Sequence, residues 1–354
     1  TMLNQSRVVI IIVTYNGEKY LSDLFNSLSR QDYSLDKIDV IVVDNYSTDD
    51  TVNFIKNNYP STRIIINQQN LGFTKANNQG IKLAQDIGAD YVFFLNQDTI
   101  CTDNLISSLV NALDNNSQLG IVQPLLLFWP KQELINTAGN QIHFLGFGYC
   151  GDYKKRIEAT NYLSEQSITY ASGAALMIRR ALLDKLGGFD ELFFMYHEDL
   201  DLGWRARLLG YQIALISQTI IYHKHKFDLK GNKQKNYCME TGRLIVLLKN
   251  YRWLTLVLLF PWWLIMELGL HMYFCLLGQP FIKIKSYLKV FSRLPRILRH
   301  RRILQRQRVV KDKQIICYFT GKVKFADLNN PILTYLVNPV FNLSWQIIKK
   351  IIFW

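Results

Sequence analysis

Residues 8–17 have the sequence VVIIIVTYNG, in which six apolar, mostly β-branched residues lead into a short polar turn. Such a run is typical of a buried strand, and the polar residues mark the carboxyl end of that strand. The pattern recurs before residue 99, in segments that we predict as three further strands: Asp39–Asp44, Arg63–Asn67 and Tyr91–Leu95. Apolar residues at helical spacing predict helices between them: Tyr20–Arg30, Asp50–Asn58 and Lys75–Gly88. The βαβαβαβ order predicts an α/β fold with a mostly parallel sheet flanked by helices.

Composition sets the broad class of the chain. Of its 354 residues, 49% are hydrophobic and 19% are charged, which is too apolar for a disordered chain. Aromatic residues reach 13%, so we expect an apolar partner. The five cysteines are widely spaced and form no CxxC pair, which argues against a disulfide framework or a zinc site and favours a reducing, cytoplasmic setting. We expect no signal peptide, because the first apolar run is short and β-branched.

The net charge of +13 is concentrated in one part of the chain. Residues 279–324, here called the basic block, contain fourteen Lys and Arg and one acid, Asp312, so the block carries a net charge equal to that of the whole protein. A block of this kind favours binding to phosphate groups, either of anionic lipid or of nucleic acid. We favour lipid, because the block lacks a nucleic-acid-binding motif and adjoins the most apolar stretch of the chain.

That apolar stretch, residues 253–277, is long enough to span a membrane once, although Pro261, Glu267 and His271 interrupt it. We expect instead that Pro261 starts a second short helix. The stretch would then lie in the membrane interface, with its Trp and Tyr rings at headgroup level.

The segments Ile282–Val310 and Pro339–Trp354 also combine basic and apolar residues at helical spacing, which is typical of amphipathic helices on a membrane surface. The sequence therefore predicts two parts. Residues 1–235 would form the catalytic domain, and residues 236–354 would form a helical, membrane-associating region.

Polar residues follow the first two predicted strands, where open α/β sheets place their ligand crevice. The first set is Thr14-Tyr15-Asn16, and the second is Asp44-Asn45. The ring of Tyr15 could stack on a pyrimidine base while Asp44 or Asn45 contacts the edge of the base. The alternative is structural: Asn16 would belong to a simple turn, and the residues after the second strand would cap the next helix.

The third and fourth predicted strands lead to further candidate ligands. After the third come Asn70 and Gly72, and then the segment Ala76–Gly80 with Asn78, which we expect to be a loop close to a ligand. After the fourth come Asn96-Gln97-Asp98, where a carboxylate at the end of a buried strand is suited to Mg²⁺ or Mn²⁺. An ordinary helix cap is the alternative role for Asp98.

Two histidines are candidates for a further metal ligand. His223 and His225 follow the predicted strand Ile213–Tyr222, and a histidine in that position is more often a surface residue. We prefer His223 because it comes directly from the strand, but the choice between the two stays open.

The densest cluster of acids lies in the segment Gly187–Asp201, just before a helix predicted to begin near Leu200. Acids favour helix N-termini, and Asp201 with Arg205 forms an i,i+4 pair. Glu198 and Asp199, however, are embedded among aromatic residues, where desolvation raises a carboxyl pKa toward that of a general base. The segment Gly146–Gly151 matches GxGxxG, but we predict a loop and no dinucleotide site, because no strand–helix pair surrounds it.

Together these segments resemble the family 2 glycosyltransferases with a GT-A fold, a Rossmann-like architecture, and within them most closely the bacterial rhamnosyltransferases. The resemblance spans roughly Val8 to His225 and rests on six segments in order: Val13–Asn16, Val43–Asn45, Asn70–Phe73, Leu95–Asp98, Ser172–Ala174 and Gly187–Asp201. Asn96 stands where the family usually has an acid, but an Asn-x-Asp form is what rhamnosyltransferase-like members show.

The resemblance implies roles for individual residues. The base would be in the pair Glu198-Asp199, with Asp199 preferred, the metal would bind Asp98 and His223, and Ser172, Gly173 and Arg205 would lie on the acceptor side. The nucleotide sugar would contact the polar residues that follow the strands: Thr14, Tyr15, Asn16, Asp44, Asn45, Asn70, Gly72, Asn78, Asn96, Gln97 and Asp98.

We therefore expect an inverting, Mg²⁺- or Mn²⁺-dependent enzyme of surface-polysaccharide assembly at the cytoplasmic face of the plasma membrane. Its donor would be dTDP-rhamnose, and its acceptor a saccharide on a polyprenyl diphosphate. An anionic membrane surface would be a partner, nucleic acid would not, and the chain could form a homo-oligomer. The alternatives are a galactofuranosyl- or other hexosyltransferase of the same family, a nucleic-acid-binding protein, and a non-catalytic membrane regulator.

Overall fold

A computed structural model of the chain describes residues 5–224, 232–324 and 331–354. It divides into two compact units. The first comprises the described residues within Thr1–Asn140, Cys150–Phe194 and Tyr211–Lys226, and the second those within Gln141–Tyr149, Met195–Gly210 and Phe227–Trp354. The domain boundary predicted after residue 235 stays a prediction.

The strands are, in chain order, β1 (Val8–Thr14), β2 (Ile38–Asp44), β3 (Arg63–Ile66), β4 (Tyr91–Leu95), β5 (Thr99–Cys101), β6 (Leu119–Phe128), β7 (Ile135–Thr137), β8 (Asn140–Ile142), β9 (Gly148–Cys150), β10 (Glu165–Ser167), β11 (Ala175–Arg179) and β12 (Gln212–His223). The helices are α1 (Glu18–Ser29), α2 (Thr51–Asn58), α3 (Phe73–Ile87), α4 (Leu105–Asn115), α5 (Arg180–Leu186), α6 (Glu198–Leu208), α7 (Lys233–Asn250), α8 (Trp253–Leu276), α9 (Phe281–Ser292), α10 (Leu294–Gln307), α11 (Asp312–Ile315) and α12 (Asn338–Ile351).

The first unit is built on a ten-stranded sheet in the order β10-β12-β6-β11-β4-β1-β2-β3, with β5 beside β12 and β7 beside β6. The four strands predicted from the first 95 residues are present, and β1 pairs parallel with both β2 and β4, while β3 pairs parallel with β2. Because Thr14 lies opposite Asp44 in this register, the carboxyl ends of β1 and β2 meet at one edge. Val8 to Ile12 are fully buried, as expected for a strand in the middle of a covered sheet.

Beyond β4, strands β6 and β12 pair parallel, but the other pairs are antiparallel. The sheet as a whole is therefore mixed, and the prediction of a mostly parallel sheet is wrong. Strand β11 lies between β4 and β6 and runs antiparallel to both. Strands β5 and β10 are likewise antiparallel to β12. The pattern of apolar residues identifies a strand but not its direction, and β11 is preceded by loops and short strands rather than by a crossover helix.

Helix α3 confirms the predicted helix Lys75–Gly88 and overturns the competing expectation of a loop at Ala76–Gly80. It begins at Phe73, so Ala76–Gly80 is helical and not a loop against a ligand. A Cβ atom on Gly80 would lie 2.6 Å from Cγ2 of Ile11 in β1. The glycine therefore allows α3 to pack closely on the sheet.

The segment Gly146–Gly151 is not a dinucleotide fingerprint, as predicted. Its residues 148–150 form β9, which pairs with β8 in a separate two-stranded sheet, and no helix follows it directly. A hairpin therefore occupies the position where the literal GxGxxG match stands.

In the second unit, α8 is one continuous helix that contains Pro261, so the predicted second helix does not exist. An internal proline removes one backbone hydrogen bond and costs about 3 kcal/mol. Buried side chains on both sides of it, including Leu259 and Met266, hold the helix through this point. Among the described residues α8 is the helix long and apolar enough to cross a membrane, with 28% of its most apolar window buried.

The buried face of α8 carries one charge, which is compensated within the second unit. Glu267 pairs with Arg243 of α7 and Lys283 of α9, and it accepts a hydrogen bond from Tyr287. Glu240 lies 2.9 Å from Arg243 and 2.6 Å from Lys283. Since buried charges need such partners, this network links α7, α8 and α9.

Candidate functional site

The loop after β1 presents an exposed aromatic ring on a fixed backbone. Gln97, which follows β4, accepts a hydrogen bond from the backbone N–H of Tyr15 at 3.0 Å and donates to its carbonyl oxygen at 3.2 Å. The Tyr15 ring itself is 48% exposed. A ring held in this way at the carboxyl edge of the sheet can stack on a nucleobase.

Asp44 serves the structure of the crevice. It is buried, and its carboxylate accepts hydrogen bonds from the hydroxyl of Thr14 at 3.0 Å and the N–H of Ser47 at 3.0 Å. Asn16 likewise accepts from the N–H of Thr48 at 2.8 Å. These contacts tie the turns after β1 and β2 together. They do not cap α2, whose N-cap residue is Asp50, so the turn role that the sequence left open is present and the helix-cap role is not.

Asn45 is the centre of a second buried network. Its amide donates to Oδ1 of Asn70 at 2.9 Å, and its carbonyl oxygen accepts from the N–H of Leu71 at 2.9 Å. Asn70 Oδ1 also accepts from the N–H of Gly72 at 2.9 Å. Three of the predicted nucleotide-sugar contacts therefore shape the loop between β3 and α3.

Gly72 has a backbone conformation that other residues rarely adopt, with φ of 81° and ψ of 170°. A Cβ atom there would lie 2.6 Å from the carbonyl oxygen of Phe194. Asn78 holds the same chain segment, because its side chain bonds both the N–H and the C=O of Phe189, at 3.0 Å and 2.9 Å. The structure thus uses both residues to attach residues 189–194 to α3.

The predicted metal ligands come together. Nε2 of His223, the last residue of β12, lies 3.3 Å from Oδ1 of Asp98, which follows β4. Nδ1 of His223 is 3.4 Å from the side-chain oxygen of Asn136. In the tautomer whose Nδ1–H donates to this amide oxygen, Nε2 carries the lone pair that a metal ion requires.

These two side chains fit a divalent cation bound with a diphosphate. Within the ranges that the structure describes, no group of three or more His, Cys, Asp or Glu forms a metal cluster. The protein would thus supply one carboxylate and one imidazole, and ligand oxygens would complete the shell, as is usual for such ions on phosphates. The other candidate, His225, lies outside the described residues.

Two further residues of the crevice were missed. Gln123 is fully buried in β6, accepts a hydrogen bond from the N–H of Ser172 at 2.7 Å, and has an amide nitrogen with no partner in the described part of the chain. A single polar residue inside an apolar strand was the available signal. Tyr46, after β2, is 50% exposed at a positive φ of 77°. Nothing in the sequence distinguishes it from an ordinary turn residue.

On the predicted acceptor side, Ser172 lies in the turn before β11. Its hydroxyl accepts from the N–H of Ala174 at 3.3 Å, and Gly173 is buried between them. Apart from Asn78, which lies in α3, these candidates of the first unit lie at or near the carboxyl ends of β1, β2, β4 and β12 or in the loops that border them.

The second unit carries the predicted base. Glu198 and Asp199 start α6, two residues before its predicted beginning. Glu198 is buried with Oε2 unpartnered among the described residues, and burial together with the adjacent Asp199 raises its pKa well above its usual range. Asp199 is half-buried, and its carboxylate accepts from the N–H of Leu200 at 2.7 Å. Of the pair, Glu198 is therefore the desolvated carboxyl.

Arg205 is engaged within the second unit. It is buried and donates to Asp201 at 2.7 Å, as the i,i+4 spacing indicated. Asp201 also pairs with Lys249 at 2.7 Å. This buried group joins α6 to α7, and the acceptor-side role of Arg205 stays a prediction.

Comparison with known proteins identifies the class. The model of Glycosyl transferase family 2 matches residues 9–187, just over half of the chain, and the chain belongs to this family. With its mixed sheet flanked by helices it has the GT-A fold, and it is a nucleotide-sugar glycosyltransferase.

The chain is similar to bacterial rhamnosyltransferases. It is 29% identical over 234 residues to the N-acetylglucosaminyl-diphospho-decaprenol L-rhamnosyltransferase of Mycobacterium tuberculosis, covering 61% of this chain and 75% of the relative. It is 23% identical over 239 residues to the O-antigen chain rhamnosyltransferase RfbN of Salmonella typhimurium, covering 67% of this chain and 71% of the relative.

Two solved structures share the fold. One is GalNAc-T7 with UDP, GalNAc and Mn²⁺, with a TM-score of 0.56 and 13% identity over 69% of this chain and 48% of that one. The other is residues 1–349 of Staphylococcus aureus TarS with UDP, with a TM-score of 0.50 and 16% identity over 97% of this chain and 90% of that one.

Proposed function

We propose that the protein transfers L-rhamnose from dTDP-rhamnose to a saccharide carried on a polyprenyl diphosphate. The printed names of the two relatives support this choice, since both are rhamnosyltransferases and one names a diphospho-decaprenol acceptor. The observation that carries the proposal is the pairing of Asp98 with His223 at 3.3 Å beside the exposed ring of Tyr15 on the same sheet edge.

The donor would bind along this edge. Tyr15 would stack on the thymine, with Tyr46 as a second exposed ring after the neighbouring strand. When bound at Asp98 and His223, Mg²⁺ or Mn²⁺ supplies positive charge that neutralises the diphosphate. An imidazole ligand suits Mn²⁺ better than Mg²⁺, which favours oxygen ligands alone.

The transfer would be a single displacement with inversion. Asp199 takes the proton of the acceptor hydroxyl, whose oxygen forms a bond to the anomeric carbon. The bond from that carbon to the diphosphate oxygen breaks, and the nucleoside diphosphate leaves with the electron pair. We prefer Asp199 to Glu198 as the base, because burial raises the pKa of Glu198 and so favours its neutral form, which cannot accept a proton.

The second unit would hold the enzyme at an anionic membrane surface. The exposed side of α8 is a continuous apolar stripe formed by Leu254, Val257, Phe260, Leu264, Leu268, Met272 and Leu276. Its opposite side is buried against charged groups of the same unit through Glu267. Such a helix suits the membrane interface better than a span, and the basic block next to it suits anionic headgroups.

A transfer assay tests this proposal. The full chain is incubated with Mn²⁺ and a decaprenyl-diphosphate-linked N-acetylglucosamine acceptor, and dTDP-L-rhamnose is compared with UDP-N-acetylglucosamine and UDP-galactofuranose. We expect metal-dependent transfer of rhamnose with an inverted anomeric centre. Preference for either UDP-sugar would refute dTDP-rhamnose as the donor. If no donor sugar were transferred to this acceptor but one were transferred to a lipid-free saccharide, the lipid-linked acceptor would be refuted.

A further inference from the structure

The second unit contains a cavity lined largely by arginines. It has a volume of 510 Å³ and lies between the start of α8 and one face of α10. Arg252 and Trp253 line it from the α8 side, and Arg301, Arg302 and Arg306 line it from α10. Among the residues that the structure describes, no acidic side chain lines this cavity.

Three of these arginines have no partner in the described part of the chain. The guanidinium groups of Arg252, Arg302 and Arg306 make neither a hydrogen bond nor an ion pair there. Arg302 and Arg306 stand one helical turn apart on α10, where like charges repel each other. A folded protein normally pairs or separates such charges, so the cavity presents positive charge that an external anion can compensate.

The acid of this region is already engaged. Asp312, the one acid in the basic block, is buried and pairs with Arg308 at 2.6 Å. It also accepts from the N–H of Arg252 at 2.9 Å and from the hydroxyl of Thr255. Its oxygens are therefore committed to the backbone and side chains beneath the cavity.

Arg301 forms the floor of the cavity. It is buried, donates to the carbonyl oxygens of Leu248 and Tyr251 at 2.6 Å, and lies 3.8 Å from the ring centroid of Trp253. Burial lowers its pKa to about 10. Arg301 is thus a structural residue, and it places the Trp253 ring beside the unpaired arginines.

The surroundings indicate which anion would enter. Trp253 is 53% exposed at the first position of α8, directly before the apolar stripe that begins at Leu254. Tryptophan is enriched at headgroup level in membranes. A phosphate with an attached hydrocarbon chain would place its charge on the arginines and its chain along the stripe, whereas a soluble phosphate would use the arginines alone.

We propose that this cavity binds the phosphate group of a membrane lipid, through Arg252, Arg302 and Arg306, and so fixes the start of α8 at the membrane surface. Arginine suits this role because its planar guanidinium makes paired hydrogen bonds to phosphate oxygens. The inference rests on the proposed membrane association and is independent of the donor sugar.

Two charge-matched double variants of the full chain test the inference. The cavity pair is Arg302→Gln with Arg306→Gln, and the control pair is Arg296→Gln with Arg299→Gln, exposed residues of the same helix that do not line the cavity. Co-sedimentation with phosphatidylcholine vesicles, with and without phosphatidylglycerol, measures lipid binding. Thermal unfolding verifies that both pairs fold, and heat released on titration with inorganic pyrophosphate measures soluble-phosphate binding.

We expect the cavity pair to bind phosphatidylglycerol vesicles about tenfold or more weakly than the control pair. Equal weakening of vesicle binding in both pairs would mean that the positive charges of the helix attract the membrane without a specific site, and it would refute the proposed site. Pyrophosphate binding that depends on the cavity pair, with unchanged vesicle binding, would identify a soluble phosphate instead. If the protein bound a single-stranded oligonucleotide through the cavity arginines and bound no vesicles, the ligand of the cavity would be nucleic acid and the proposed lipid would be refuted.

The experiment separates this inference from the proposed function. It contains no donor, so a wrong donor sugar leaves its result unchanged. Failure of the unmodified protein to bind any vesicle would refute the membrane association together with the site. Vesicle binding that the cavity pair retains in full would refute the site alone.

Discussion

Nε2 of His223 lies 3.3 Å from Oδ1 of Asp98, which brings together the ends of β12 and β4. Asn136 orients the imidazole from its other nitrogen at 3.4 Å. The pair gives the crevice one nitrogen and one oxygen donor of the kind that a divalent cation uses.

Removing the imidazole tests this pair. His223→Gln should weaken Mn²⁺ binding in the presence of dTDP by about 10–100-fold, because one of the two proposed protein ligands is lost. Calorimetric titration of Mn²⁺ at fixed dTDP measures the effect. The control Asp103→Asn changes an exposed carboxylate that pairs with Arg30 in the same unit. Equal Mn²⁺ affinity in the His223 variant and the unmodified protein would exclude His223 as a ligand.

Asn45 should be important for stability as well as for binding. Asn45→Ala leaves the N–H of Leu71 and the side chain of Asn70 without their buried partner, so the free energy of unfolding should fall by about 1–3 kcal/mol. Urea denaturation measures the loss. Asn53→Ala, on the exposed face of α2, should change stability by less than about 0.5 kcal/mol. Similar values for the two variants would contradict the network.

Gly72 and Gly88 form a matched pair, because both have a positive φ and flank α3. Gly88→Ala meets no atom within 4 Å and should cost about 1 kcal/mol, whereas Gly72→Ala also collides with Phe194 and should cost about 3 kcal/mol or more. Thermal unfolding of both variants gives the comparison. If Gly72→Ala were as stable as Gly88→Ala, the close approach of residues 189–194 to α3 would be wrong.

The raised pKa of Glu198 predicts a pH-dependent stability. The pKa of Glu198 in the folded state lies above its ordinary value of 4.5, so the folded protein binds more protons than the unfolded chain as the pH rises past 4.5. The folded protein therefore loses stability as the pH rises. Glu198→Gln removes this loss. Its melting temperature relative to the unmodified protein should increase between pH 5 and pH 8, while exposed Glu158→Gln should show no such trend. A difference that is constant with pH would contradict the burial of Glu198.

Much of the parallel half of the fold was predictable, because β1 to β4 are continuous apolar runs whose polar ends fall at one sheet edge. Strand β11 was not predicted at all, and apolar spacing would not have given its direction. The continuity of α8 through Pro261 depends on side chains buried on both sides of it, which local propensity does not include.

The candidate site was likewise predictable from the sequence only in part. Asp98 and His223 were predicted as neighbours from residue type and strand position, and the structure places them together. Asp44, Asn45 and Asn78 were predicted as ligand contacts, yet their polar atoms hold loops. A short amide or carboxylate serves equally well as a ligand or a turn cap, so sequence cannot separate these roles.

The assignment of Asp199 as the base is tested most directly by its conversion to asparagine, with transfer and nucleotide binding measured on the same preparation. We predict that Asp199→Asn lowers kcat by about 10²–10⁴-fold, as expected when a general base is lost, while the Kd for dTDP stays within about twofold. Glu198→Gln should retain much more activity, because burial raises the pKa of Glu198 and favours the neutral form that glutamine resembles. Near-normal turnover in Asp199→Asn would contradict the account.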